Sequence, residues 1–156
     1  MNAELIKEAA DSLSLADIYL LDFKFEPHKE YYPSFVFEET DSITQEKKEV
    51  KCKKAVVSDE EGEKELLMIE ALLGIRVSEK KDEEDINPIF SIEAKFRAEY
   101  VITDKEVSID ALKEFSKYNG LHSIWPFWRQ FVYDMMPRLR LPIPEVPLRP
   151  PLSKSK

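Results

Sequence analysis

The chain is poor in the residues that build metal centres and disulfide frameworks. Cys52 is its single cysteine, which excludes an intrachain disulfide and a cluster of thiolate ligands. A reducing cytoplasm fits this composition. The two histidines, His28 and His122, have no second histidine or cysteine at ligand spacing, so we predict neither a metal site nor a bound cofactor.

The sequence also lacks the short motifs that mark common catalytic sites. We find no phosphate-binding glycine loop, no dinucleotide fingerprint, no G-x-S-x-G and no H-E-x-x-H. Its carboxylates lie in runs with lysines, which is typical of a solvated face. We therefore predict that the protein is not an enzyme. Catalysis by a carboxylate pair is the least supported alternative.

No apolar run approaches the roughly 20 residues of a membrane span, and the first 13 residues are too polar for a signal peptide. The formal net charge of −8 argues against a nucleic-acid or anionic-membrane surface. The C-terminus differs, because five basic residues and one acid follow residue 137. This basic tail is either a solvated end or a docking element for an acidic partner.

The most informative segment is residues 119–148, which reads as one amphipathic helix followed by a proline ladder. Asn119-Gly120 predicts a break before the helix, Pro126 would occupy its first turn, and Pro137 would end or kink it. An aromatic and methionine stripe at steps of three and four is either an ordinary core face or a surface for other chains. Its members are Ile124, Phe127, Trp128, Phe131, Val132, Met135, Met136 and Leu139.

Four strands are predicted before this segment, over residues 15–26, 31–57, 65–78 and 89–102. In the first, Tyr19, Leu21, Phe23 and Phe25 are expected on one face. The third carries apolar residues on both faces, Gly74 marks a possible bulge, and a helix over 63–73 competes with it. An acidic hairpin loop is predicted over 79–87. In the fourth strand, alternate residues from Phe90 to Ile102 form the apolar face.

Short helices are predicted over residues 1–13 and 109–118, the second capped by Ser108. The order of elements predicts an α+β fold, a four-stranded antiparallel sheet with C-terminal helices packed on one face.

Three sets of residues resemble sequence motifs of the SecB family of export chaperones. The first strand matches the family's Ile-Tyr-x-x-Asp-x-x-Phe-Glu pattern, and the fourth its Phe-x-x-Glu and Tyr-Val-Ile. The last third matches its asparagine, its hydrophobic-Pro-aromatic step with arginine, and its basic-hydrophobic-Pro exit. The residues are Ile18-Tyr19, Asp22, Phe25-Glu26, Phe90, Glu93, Tyr100-Val101-Ile102, Asn119, Trp125-Pro126-Phe127, Arg129, Phe131-Val132, Met135, Arg140-Leu141-Pro142 and Pro147-Leu148. Residues 38–66 do not align.

The resemblance implies a cytosolic, ATP-independent holdase, a dimer of dimers that binds unfolded chains in apolar grooves. It implies groove or interface roles for Phe96, Trp125, Trp128, Phe131 and Met135, each of which could equally be core. It also implies that the export motor SecA docks on the acidic outer face of the sheet. The matching positions are Asp22, Glu26 and Glu93.

The chain departs from the family in three places. Ala98 replaces a glycine before the last strand segment, a helix precedes the first strand, and a basic tail replaces an acidic one. Residues 131–142 look more like the SecB-like chaperones that guard antitoxins, so export and antitoxin guarding both remain open. An assembly protein that uses the stripe only for self-association is the alternative. We divide the chain into a helical extension (1–14), a chaperone domain (15–148) and a flexible tail (149–156).

Overall fold

A four-stranded antiparallel sheet forms the centre of the molecule, as predicted. The computed structural model describes residues 1–28, 42–82, 85–141 and 144–151. Its strands lie in the order β1-β4-β3-β2, so β1 and β2 are the two edges of the described sheet. The elements are α1 (Ala3–Ser12), β1 (Leu13–Pro27), β2 (Ser42–Asp59), β3 (Gly62–Asp82), β4 (Asp85–Ile102), α2 (Ile109–Phe115), a π-helical turn (Ser116–Gly120) and α3 (Leu121–Arg138).

The hairpin between β3 and β4 is longer than the sequence indicated. Pairing continues through Lys80↔Ile86 and Asp82↔Asp85, so the prediction of a loop over 79–87 was wrong. Main-chain groups make the ladder, and a run of acidic side chains does not prevent it. Gly74 stays in register with both neighbouring strands, so the bulge suggested there is absent. The competing helix over 63–73 is also excluded. Of the predicted strand over 31–57, residues 31–41 lie outside the described part of the chain.

Alternation on β4 places its apolar side chains on the face that the helices cover. Phe90, Ile92, Ala94, Phe96 and Ala98 are all buried there. The residues between them face the other side of the sheet and are half-buried. The fourth strand is therefore confirmed as the one whose period of two is clearest.

Strand β1 carries two irregularities that change which residues face the core. Its register against β4 shifts between Leu15 and Asp17 and again between Leu20 and Asp22. An extra residue in one strand moves the following side chains to the opposite face. Tyr19 accordingly lies opposite Arg97 on the outer face, whereas Phe23 lies opposite Ala94 on the core side. The prediction that Tyr19 and Phe23 share a face was wrong.

The two short helices are tied together by hydrogen bonds between caps and carboxylates. Asn2 caps α1, accepting from the amides of Glu4 and Leu5, and its own amide donates to Glu114 Oε1 at 2.6 Å. The Ser108 cap is confirmed, since its hydroxyl accepts from the Ala111 amide at 3.2 Å, and the Ser108 amide donates to Glu8 Oε1 of α1 at 2.7 Å. These contacts hold α1 against α2 at one end of the sheet.

A continuous helical path runs from α2 through the π-helical turn into α3. Asn119-Gly120 does not break it, because Gly120 has right-handed helical angles of φ −60° and ψ −45°. A Cβ on Gly120 would lie 2.6 Å from Ile69 Cδ1. The glycine therefore permits a close approach of helix to sheet rather than a turn. Pro126 consequently lies inside α3 and not in its first turn.

The end of α3 is a Schellman turn. The amide of Leu141 donates to the carbonyl of Met136 at 3.0 Å, and that of Arg140 to the carbonyl of Pro137 at 3.2 Å. Arg140 adopts a positive φ of 58°, the conformation that glycine normally supplies. The turn ends the helix one residue after Pro137 and reverses the direction of the chain.

Candidate functional site

The central row of α3 is core. Trp125 and Trp128 are only 3% and 2% exposed, and Phe96 opposite them on β4 is 3% exposed. Phe131 joins the group, with its ring 6.0 Å from that of Trp128 and 6.2 Å from that of Phe96. The structure thus brings three of the five predicted groove residues, Phe96, Trp128 and Phe131, into one aromatic cluster, and Trp125 is buried in the same core.

The flank of α3 that faces β1 is apolar and open. Leu20 and Phe23 on β1 are 39% and 52% exposed, and Phe127 on α3 is 44% exposed. The rings of Phe23 and Phe131 lie 5.7 Å apart, which joins the strand to the helix. Phe127 precedes Phe131 by one helical turn and therefore lies on the same side of α3. We call these four residues the apolar strip. The half-buried Met135 extends it by one more turn along α3.

Beside the apolar strip runs an edge strand. Within the described sheet β1 pairs only with β4, so β1 is one of the two edge strands of that sheet. Such an edge can accept an additional strand from another chain. Apolar side chains and an edge strand of the described sheet thus lie together along one border of the molecule.

The opposite flank of α3, towards β2, is covered by the chain's own C-terminal segment, residues 144–151, which we call the strap. Trp125 Nε1 donates to the carbonyl of Pro147 at 2.7 Å, and Arg129 Nε donates to the carbonyl of Val146 at 3.1 Å. The Arg129 guanidinium also lies over the Tyr133 ring, 4.8 Å from its centre. Val146 is buried against the core. The two flanks of one helix therefore differ in what covers them.

The three predicted docking carboxylates lie on the outer face of the sheet among lysines and arginines. Glu26 pairs with Lys24 at 3.2 Å, and Glu93 pairs with Lys47 at 3.4 Å. Asp22 is exposed on β1. The face around them carries charges of both signs rather than a block of acid.

An ion-pair network crosses the same face from β3 to β1. Arg97 donates to Glu70 at 2.7 Å and to the Tyr19 hydroxyl at 3.2 Å, and that hydroxyl donates to Glu99 at 2.5 Å. The hydrogen bond from Arg97 lowers the pKa of Glu70, and the hydrogen bond to Glu99 raises the pKa of Tyr19. The network ties three strands together and explains why Tyr19 faces outward.

Sequence reasoning missed Leu20 and Phe23 as members of the site and did not anticipate the strap. A signal for the first was present, because residues 18–25 carry apolar side chains at both odd and even positions. A single half-buried face cannot hide both sets. No local pattern could have shown that Trp125 and Arg129 meet carbonyls about 20 residues later in the chain.

The described ranges hold no group of three or more histidine, cysteine or acidic side chains placed to share a metal ion. His28 instead lies 3.2 Å from the Ser91 hydroxyl, on the outer side of the sheet. None of the helices in those ranges combines the length and apolar character that a membrane crossing requires.

Comparison with solved structures identifies the fold. The SecB-like chaperone Rv1957 of Mycobacterium tuberculosis, in complex with a ChAD peptide from the Rv1956 HigA1 antitoxin, matches with a TM-score of 0.63. The match covers 94% of this chain and 99% of that chain at 18% sequence identity. Neither the family models nor the curated proteins gave a match. The chain therefore has a SecB-like fold, as the sequence resemblance implied.

Proposed function

We propose that this protein is a cytoplasmic, ATP-independent holdase that binds unfolded or non-native polypeptides. The observation that carries the proposal is the apolar strip beside the β1 edge, on a SecB-like fold. An unfolded chain offers apolar side chains to the strip and backbone groups to the edge. Both kinds of contact are independent of a particular client sequence.

The strip is suited to weak but general binding. Covering apolar surface yields about 25 cal/mol per Å², and a few aromatic rings of 150–250 Å² each are a useful fraction of a binding site. Phe131 and Met135 would then act at the margin of the site. Phe96, Trp125 and Trp128 would support it from within the core and contact a client only if the strap or the strip moved.

Two settings for such a holdase follow from what resembles it. The neighbour of similar fold is described in complex with a peptide from an antitoxin. That favours antitoxin guarding here. Export delivery would require SecA to dock at Asp22, Glu26 and Glu93, where the surrounding lysines and arginines weaken the attraction for a basic partner.

The strip and the β1 edge also suit self-association, and we propose a homotetramer, a dimer of dimers. If the strip served assembly alone, the protein would be an oligomer without affinity for unfolded chains. This is the alternative function, and the same exposed rings favour it. Native mass measurement gives the oligomeric state, and client binding separates the two functions.

The test is aggregation of a chemically unfolded protein, diluted into buffer without ATP, at stoichiometric amounts of the full chain. We expect suppression by the wild type and its loss in the double variant Phe23→Ser/Phe127→Ser. The matched control is Val56→Ser/Ile109→Ser, which removes two apolar side chains of 61% and 62% exposure elsewhere on the surface. Equal aggregation with and without the wild type would contradict the holdase proposal.

A further inference from the structure

We propose that the surface beneath the strap, between α3 and β2, is a second polypeptide-binding site. Its ligands are extended, proline-rich segments, and the chain's own residues 144–151 occupy it in cis. The site lies on the opposite flank of α3 from the apolar strip. The inference therefore does not depend on the holdase proposal.

Among the described residues, three hydrogen bonds join the strap to the body, and all three have the same polarity. Side chains of the body donate and strap carbonyls accept: Trp125 to Pro147, Arg129 to Val146, and Lys48 Nζ to Pro151 at 2.9 Å. Carbonyls are present at every residue of any peptide, prolines included. These donors therefore recognise the backbone of an extended segment and not a particular side chain.

The composition of the strap matches what such donors can hold. Four of its eight residues are prolines, which lack an N–H and therefore need no acceptor from the body. Prolines also hold an extended chain at little entropic cost, as in other grooves that combine an indole donor with proline-rich ligands. Val146 and Pro150 are buried and provide the apolar anchors.

The direction of the strap is fixed by the order of its contacts. Val146 meets Arg129 and Pro147 meets Trp125, so the strap runs antiparallel to α3 before Pro151 reaches Lys48 on β2. A cleft of about 340 Å³ adjoins Pro150 and Pro151 between β2 and the helices, and Val50 and Leu121 also line it. The groove that the strap occupies therefore includes this cleft.

The Schellman turn at the end of α3, which precedes the strap, contains a residue that is unfavourable there. Arg140 occupies a left-handed position at φ 58°, where a side chain costs free energy that glycine would avoid. The strap is thus attached by a turn less stable than the same turn with glycine. That favours exchange with a segment supplied by another chain.

The experiment compares full-length chains that differ only in how firmly the strap is held. The probe is a fluorescent synthetic peptide with the sequence of residues 144–151, titrated by anisotropy. In the wild type the strap competes at an effective concentration in the millimolar range, so binding of the probe is weak. In Val146→Asp/Pro150→Asp, which places charges at the two buried anchors, we expect binding at least about tenfold tighter.

Two controls make the result specific. Adding Trp125→Phe to the released chain removes the indole donor and keeps an aromatic ring, so affinity for the probe falls about fivefold. Arg140→Gly in the wild-type chain strengthens the turn and weakens binding of the probe further. A peptide that carries the same two aspartate substitutions is expected not to bind.

If the aspartate variant loses its native circular dichroism spectrum, the less disruptive double variant Val146→Ala/Pro150→Ala replaces it in the experiment. It should bind the probe with an affinity between those of the wild type and the aspartate variant. Equal affinity of all folded chains would overturn the proposal and leave the strap a structural cover. Aggregation suppression by the wild type is unaffected by that outcome, so the two proposals fail separately.

Discussion

The two flanks of α3 belong to the same helix but form different surfaces. Towards β1, Phe131 contacts the half-exposed Phe23 of an edge strand, Phe127 lies exposed one helical turn before Phe131, and within the described chain no further layer covers these rings. Towards β2, Trp125 and Arg129 are covered by the strap and donate to its carbonyls. Helical rotation alone separates the two sets. One flank is consequently an apolar surface and the other a polar-rimmed groove that is already filled.

This difference teaches that the aromatic stripe is not one functional unit. A stripe wider than about 100° on a helix holds a central row that packs on the sheet and two margins whose role depends on their neighbours. The family resemblance grouped Trp125 and Trp128 with Phe131, yet Trp128 is core, Trp125 donates to the strap and Phe131 belongs to the apolar strip. Substitutions can separate these roles.

The largest expected effect is on the free energy of unfolding. It distinguishes the buried central row of α3 from its exposed margin by substitutions at two adjacent positions. Trp128→Ala removes a side chain that is 2% exposed and should lower the free energy of unfolding by about 3–5 kcal/mol. Phe127→Ala, at 44% exposure, should change it by at most about 1 kcal/mol. Urea denaturation followed by circular dichroism measures both. Similar losses at the two positions would contradict the division of the stripe.

A smaller effect tests the close packing of the helix against the sheet at Gly120. The position of both flanks depends on this packing. Gly120→Ala adds a Cβ that would lie 2.6 Å from Cδ1 of Ile69, a side chain with no exposed surface. Overpacking should outweigh the gain in helix propensity and destabilise the protein by about 1–3 kcal/mol. The compensating double variant Gly120→Ala/Ile69→Val should recover part of that loss. Thermal unfolding of the three chains makes the comparison, and a stabilised Gly120→Ala chain would refute it.

The smallest effect concerns the outer face, which charges hold together instead of apolar contacts. Glu70→Gln removes the ionic partner of Arg97 and should cost about 1 kcal/mol at neutral pH. Arg97 lowers the pKa of Glu70 in the folded protein, so the stabilisation is present above the ordinary glutamate range and is lost as the pH falls through the lowered value. The two chains should therefore become equally stable in acid. A difference that is constant from pH 7 to below about 4 would exclude this ion pair as its source.

Much of the fold could be predicted because the signals were local. The alternation on β4 and the three-and-four spacing on α3 each recur within a few residues, and both elements are confirmed. The failures have causes outside the local pattern. The irregularity between Leu20 and Asp22 places Tyr19 and Phe23 on opposite faces, and Asn119-Gly120, which usually marks a turn, instead lies inside a continuous helix. The close contact with Ile69 accounts for that glycine, and Ile69 is 51 residues away.

The sequence by itself determined the sheet, the helix that covers it and the scarcity of groups for metal or disulfide chemistry, because periodicity and composition belong to the chain at every stage of folding. Only the tertiary structure decided which margin of α3 stays open, because coverage depends on the elements that lie opposite. Phe127 and Trp125 are two residues apart and equally apolar in a sequence pattern. Phe127 lies on the flank that faces the edge strand β1, and Trp125 lies beneath the strap.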